Sequence, residues 1–352
     1  MTQKETIWMK FPQVGNYVVA DYDRTHPNLI FNKGLKVGGT TISYSLNRVA
    51  EHYQIKIAPV TKEENERFRF EVLPCSRLQE ASLYFHHGYR NSWALQCMKD
   101  VRFITLLRDP LTQTLSLESM KINHGYFLNY PQKTCESLKK GRYKRLHVPI
   151  ETFRNIITPE QIYAYLKPIQ HCRDTELRRN LTILLIAHKM KSFDRDHPGN
   201  AISETTRWIV SKNLYAEIHH PLLVNVLKTK FFLVGVTERI NEFLVLLATF
   251  YGWEFKYLYY RTCKKSDLKI TSEDFQKYFP DLVHTFQRNV MMYEKAYLWA
   301  RDQFDANINR LGPRFQELVK EFEAGLKLFQ DSYPTSFKWE YVKYVDGFLE
   351  DC

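Results

Sequence analysis

A lysine, a pair of glycines and two threonines in close succession can hold an anion. The chain carries this pattern in LIFNKGLKVGGTTISYSLNRVAEHY, as Lys36, Gly38, Gly39, Thr40 and Thr41. Glycines let a backbone approach a phosphate, the N–H groups of a helix start point at it, hydroxyls add bonds and the lysine adds positive charge. A Walker A loop places its lysine after the glycines, as G-x-x-x-x-G-K-[ST], whereas Lys36 precedes them, so the pattern departs from that of nucleoside triphosphatases. The plain alternative is a tight turn before a helix.

A second stretch, VRFITLLRDPLTQTLSLESMK, reads as a buried strand ending in Arg108, with Pro110 at a helix start and Ser116 eight residues beyond the arginine. A helix begun near Pro110 puts Ser116 within two turns of the strand end, so Arg108 and Ser116 can grip one phosphate. The alternative is a surface contact between Arg108 and Asp109, with Ser116 facing solvent.

The elements that must position these residues follow from the apolar pattern. Strand-like runs at 28–31, 54–60, 81–85, 101–107 and 231–236 alternate with helical segments at 39–53, 91–98, 110–122 and 240–251. Runs such as VRFITLL and FFLVGV are apolar throughout, as suits strands covered on both faces of a parallel sheet. The expected fold is therefore α/β. A mainly helical insertion is expected at 140–225, and C-terminal helices at about 271–330. The last of these is striped by Phe315, Leu318, Val319, Phe322, Leu326 and Phe329, a core or partner-contact pattern. Residues 1–25 read as an N-terminal extension, and 26–352 as a single domain.

Lysine and arginine outnumber aspartate and glutamate by 50 to 39, a formal charge of +11 that favours anionic ligands, acidic polymers or an anionic membrane face. No zinc-finger, RNA-recognition or basic-heptad pattern accompanies it, so nucleic acid is not an expected partner. Six scattered cysteines without a C-x-x-C pair signal neither a zinc site nor a dense disulfide framework, and no metal site is expected. The longest apolar stretch, Phe243 to Trp253, has 11 residues, against the roughly 20 that span a bilayer. Nor do the first 25 residues have a signal-peptide layout, so the chain as written is expected to be soluble or peripherally attached to a membrane. The basic run from Lys133 through Arg145 suits an acidic glycan, a membrane surface or plain solvation.

With about 70 residues between them, the two motifs together resemble those of the sulfotransferases. The likeness extends to the carbohydrate branch, chiefly the galactose-3-O-sulfotransferases and more distantly the uronyl 2-O-sulfotransferases. FFLVGVTERINEFLVLLATFYGW and NVMMYEKAYLWARDQFDANINRLG are similar to segments of the galactose branch. The resemblance covers about residues 28–330. It implies a P-loop-like three-layer sandwich with a central parallel sheet, a Golgi compartment, and transfer of a sulfuryl group from 3′-phosphoadenosine 5′-phosphosulfate to a sugar hydroxyl, with galactose 3-OH of a glycolipid or glycan foremost. Lys36, Gly38, Gly39, Thr40 and Thr41 would hold the 5′-phosphosulfate, and Arg108 and Ser116 the 3′-phosphate. Two departures stand out: no signal anchor is visible, and KVGGTT stands where K-T-A-S-S-T is common in the family.

Such a reaction needs a base for the acceptor hydroxyl. His86 and His87, in LYFHHGYRN, follow a predicted strand; His87 lies 21 residues before Arg108, where uronyl 2-O-sulfotransferases carry a catalytic histidine. Adjacent strand residues point to opposite faces, so one of the two can serve, with His87 preferred. Glu238, after FFLVGVT, is the other candidate, the alternative being a partner of Arg239 or a cap of the next helix. Arg261, Lys264 and Lys265 form a basic loop that suits closure over the 3′-phosphate or plain solvation. Two readings compete: a P-loop kinase using ATP and Mg²⁺ with Asp109 as a Walker B carboxylate, and a non-catalytic glycan-binding relative.

Overall fold

Four short parallel strands form one sheet, and three of them are buried along nearly their whole length, so their apolar composition is satisfied on both faces. The computed structural model describes residues 23–58, 75–86, 97–98, 100–123, 220–261 and 270–332, together with 179, 182, 183, 186 and 187. Nearly all of the expected insertion at 140–225, the basic run at 133–145, His87, Lys264 and Lys265 lie outside the described residues.

The chain divides into two compact units. The first comprises residues 1–108, 204–264 and 295–352, and holds the whole sheet. Its strands are β1 (Leu29–Asn32), β2 (Leu83–His86), β3 (Arg102–Leu107) and β4 (Leu233–Val236), in the order β2-β1-β3-β4. Register pairs Asn32 with both His86 and Thr105, and Leu107 with Val236, so the strands' C-terminal ends form one edge. From β1 the chain passes to β2 on one side; β3 then lies on β1's other side. The winding thus reverses between β1 and β3, the crevice where open α/β sheets bind ligands.

Helix α1 (Gly39–Tyr53) buries Ile42, Leu46, Val49 and Ala50, an i, i+4, i+7, i+8 stripe, against the sheet face carrying Leu29, Phe31, Ile104 and Leu106. A left-handed cap at Gln54, whose N–H returns to the Ala50 and Glu51 carbonyls, ends the helix. That cap consumes the start of the strand expected at 54–60. Pairing there reduces to one bridge between Ile57 and Leu83, with 59–60 outside the described residues.

After the short α2 (Cys75–Gln79), α3 (Pro110–Asn123) follows β3, and α4 (His220–Lys230) precedes β4. Helix α5 (Ile240–Tyr251) is apolar almost all round and correspondingly buried. The later helices are α6 (Ser272–Tyr278), α7 (Pro280–Asn289), α8 (Met291–Arg310) and α9 (Gly312–Ser332). The α9 stripe is core: Phe315, Val319, Phe322 and Leu326 join the cluster that covers the sheet, each contributing about 1.5–3 kcal/mol by burial.

The second unit comprises residues 109–203 and 265–294. Here Asp109 caps α3, its Oδ1 accepting the Thr112 N–H at 2.7 Å, with Pro110 at the first helical position. The Tyr293 hydroxyl donates to Gln113 Oε1 at 2.8 Å. Thr271 and Asp274 form a capping box at α6, and Arg179 pairs with Asp274.

A disulfide joins Cys75 to Cys97, which are 22 residues apart, bracketing β2 and the histidine segment. A bridge closing a loop of that length is worth about 3 kcal/mol. Cys97→Ser is therefore expected to lower unfolding stability by about 2–4 kcal/mol in urea titrations. Non-reducing peptide mapping that found both thiols free would contradict the bridge.

Candidate functional site

The loop joining β1 to α1 emerges at the crevice between β1 and β3. Its backbone is unusual at two positions. Lys36 sits in the left-handed region at φ 58°, and Gly38 at φ 77°. For a non-glycine residue that conformation costs about 1–2 kcal/mol. The Lys36 carbonyl, turned by this conformation, accepts a bond from Arg108 Nη1 at 2.9 Å. A charge-assisted bond of this kind contributes about 1.5–3 kcal/mol, enough to offset the strain. The interaction fastens the end of β3 to the loop after β1 and uses one of the guanidinium's five donors.

Gly38 is the N-cap of α1, and no side chain among the described residues caps this end; its first turn carries no acid. Ile42 N donates to Gly38 O at 3.2 Å, so the helical ladder begins there and the N–H groups of Gly39, Thr40 and Thr41 precede it. Thr40 and Thr41, on the same turn, are half-buried. The positive end of the helix dipole adds to this field. A methyl group on Gly38 would meet Ile240 Cδ1 at 3.1 Å and Thr237 Cγ2 at 3.5 Å. Thr237 in turn donates to the Leu107 carbonyl at 3.1 Å. The ends of β3 and β4 thus wall the glycine turn.

His86 closes β2 at the same sheet edge, level with Asn32. Glu238 is exposed on the turn between β4 and α5. Its neighbour Arg239 pairs with Glu242 at 3.0 Å and with Asp305, and α5 has no side-chain N-cap. Segment 255–261 runs along α1: Tyr257 stacks on His52 at 3.7 Å, and the Leu258 carbonyl accepts from Ser45 Oγ at 2.9 Å. Arg48 donates to the Lys256 and Tyr259 carbonyls. Tyr260, its phenol pushed up to about 12 by burial and then by Glu323 and Glu242, reaches Asn241, the neighbour of the Ile240 that lines Gly38. Arg261 follows it directly.

The structure therefore brings together Lys36, Gly38, Gly39, Thr40, Thr41 and Arg108, with His86 at the same edge. Ser116 lies on α3 in the second unit, half-buried at the helix's seventh residue. In that unit the Glu294 carboxyl is raised by burial and then by Asp109. No group of three His, Cys, Asp or Glu among the described residues is arranged to hold a metal ion. Lys33, Thr237 and Ile240 are not singled out by the sequence. Compared with known proteins, the chain matches no family model and no curated protein.

Gly38→Ala is expected to destabilise the fold by about 1–2 kcal/mol through its left-handed backbone. An unchanged urea midpoint would contradict this cap geometry.

Proposed function

We propose that the chain is a sulfotransferase of P-loop-like, three-layer architecture that takes 3′-phosphoadenosine 5′-phosphosulfate as donor and a sugar hydroxyl as acceptor. Galactose 3-OH of a glycolipid or glycan is the foremost acceptor. The observation that carries this reading is the bond from Arg108 to the Lys36 carbonyl, which unites two phosphate-binding motifs at one crevice. A donor with phosphate at both 5′ and 3′ positions needs two such grips.

In this reading the α1 N–H groups, Thr40 and Thr41 hold the 5′-phosphosulfate, and Lys36 neutralises charge on the bridging oxygen as the S–O bond to phosphate breaks. Arg108 binds the 3′-phosphate; the role of Ser116 rests on its sequence spacing. His87 or His86 takes the acceptor proton as the new S–O bond forms, and 3′,5′-adenosine bisphosphate leaves. No metal enters any step.

A Golgi lumen suits the Cys75–Cys97 bridge, since disulfides persist in oxidising compartments. No helix among the described residues is long and apolar enough to cross a membrane. Peripheral contact with a membrane, through basic segments, suits a glycolipid acceptor. The kinase reading would need the Asp109 carboxylate for Mg²⁺; its Oδ1 accepts the Thr112 N–H as the cap of α3.

The test is transfer of labelled sulfate to a panel of galactosides, uronides and galactosyl lipids. Labelled product is expected; donor binding without product across the panel would favour the non-catalytic relative. Lys36→Ala is expected to lower turnover more than donor affinity, because its charge is needed most as the phosphate leaves. Affinity loss with turnover intact would reduce Lys36 to a ground-state anchor. His87→Ala is expected to lower turnover by about 10² at unchanged donor affinity, with His86→Ala mild. Full activity in both variants would move the base to Glu238.

A further inference from the structure

Lys33, the first residue after β1, is only 3 % exposed, a rare degree of burial for lysine. Its stem lies across the Cα of Gly39, the first residue of α1. A Cβ built on Gly39 would come within 2.5 Å of Lys33 Cγ, 3.2 Å of Cδ and 3.0 Å of Cε. Carbon atoms rest at roughly 3.5–4.0 Å, so three successive methylenes fill the space that any side chain at 39 would need. The tightest contact is at Cγ, close to the lysine's own backbone, and swinging the far end of the chain does not relieve it.

This contact bears directly on the cradle. The Gly39 N–H is among those that precede the helical ladder at the start of α1, and the loop that positions it is held at two points. Arg108 fastens Lys36, and the Lys33 stem fixes the distance between the end of β1 and the first turn of α1. Anion binding by backbone N–H groups depends on such distances, because hydrogen bonds weaken steeply away from their normal length and angle.

We propose that Lys33 is a positioning residue of the anion cradle: its buried aliphatic stem, seated on Gly39, holds the first turn of α1 where its N–H groups meet the donor's phosphate. The proposal rests on the donor-site reading above. It gives the stem of Lys33 a role separate from the charge of Lys36, and it makes Gly39 a steric partner of Lys33 as well as a backbone donor.

The test compares Lys33→Met, Lys33→Ala, Gly39→Ala and the double variant Lys33→Ala/Gly39→Ala. Affinity for 3′,5′-adenosine bisphosphate is measured by calorimetry well below each melting temperature, and melting curves are recorded alongside. Lys33→Met keeps an unbranched stem and removes the charge; it is expected to bind within about threefold of wild type, whereas Lys33→Ala and Gly39→Ala each lose about tenfold or more. In the Lys33→Ala background, Gly39→Ala is expected to add little further loss in affinity or in Tm, the signature of a shared contact. Equal damage from Lys33→Met and Lys33→Ala would assign the role to the ammonium and overturn the proposal. Additive losses from Lys33→Ala and Gly39→Ala would overturn it as well. A wild-type protein without affinity for the bisphosphate, but with non-additive Tm values, would sink the donor reading and the positioning role with it, leaving only the steric contact.

Discussion

The bond from the Arg108 guanidinium to the Lys36 carbonyl is the constraint on which the site depends. It joins the end of β3 to the loop after β1, the two strands between which the direction of sheet winding reverses. It also gives a reason for the left-handed backbone at Lys36, which turns that carbonyl toward the arginine. The bond helps to offset the cost of that conformation. With it, a lysine, an arginine and the start of a helix share one crevice.

Packing around the glycine turn follows from this. Gly38 takes the second left-handed position, and the ends of β3 and β4 close on it through Leu106, Thr237 and Ile240. The atoms that close on Gly38 are apolar, so beside Lys36 and Arg108 the polarity of the site comes from N–H groups fixed by the fold. Such groups need little reorganisation when an anion arrives, the property that makes preorganised dipoles effective in transfer reactions. Segment 255–261, tied to α1 by Ser45 and Arg48 and to α9 by Gln330, brings Arg261 up beside Tyr260 at the edge of the same region.

Much of this was legible in the sequence because it is local. The stripe of α1 and the fully apolar runs of β3 and β4 declare themselves through period and composition. The order K-x-G-G-T-T after an apolar run announces a strand, a glycine turn and a helix start, and these are the elements found there. The strand expected at 54–60 was misjudged because QIKIAPV has strand-like alternation, while the left-handed cap at Gln54 and the single bridge at Ile57 are decided by the helix before it. The approach of Thr237 and Ile240 to Gly38 links residues some 200 positions apart and leaves no mark on either segment. Nor does composition distinguish Lys33, buried against Gly39, from Lys36 three residues later. The pairing of Cys75 with Cys97 was equally hidden, since scattered cysteines carry no connectivity.

The central claim is that this crevice recognises a nucleotide phosphorylated at both 5′ and 3′ positions. It is tested most directly by calorimetry of the wild-type protein and of Arg108→Ala with 3′,5′-adenosine bisphosphate in the absence of metal, and with ATP in the presence of Mg²⁺. Two grips predict that wild type binds the bisphosphate without metal and more tightly than ATP with Mg²⁺. They also predict that Arg108→Ala weakens bisphosphate binding by about 10- to 100-fold, the value of a charge-assisted phosphate contact. Preference for ATP with Mg²⁺, or undiminished bisphosphate binding by a folded Arg108→Ala protein, would contradict the account.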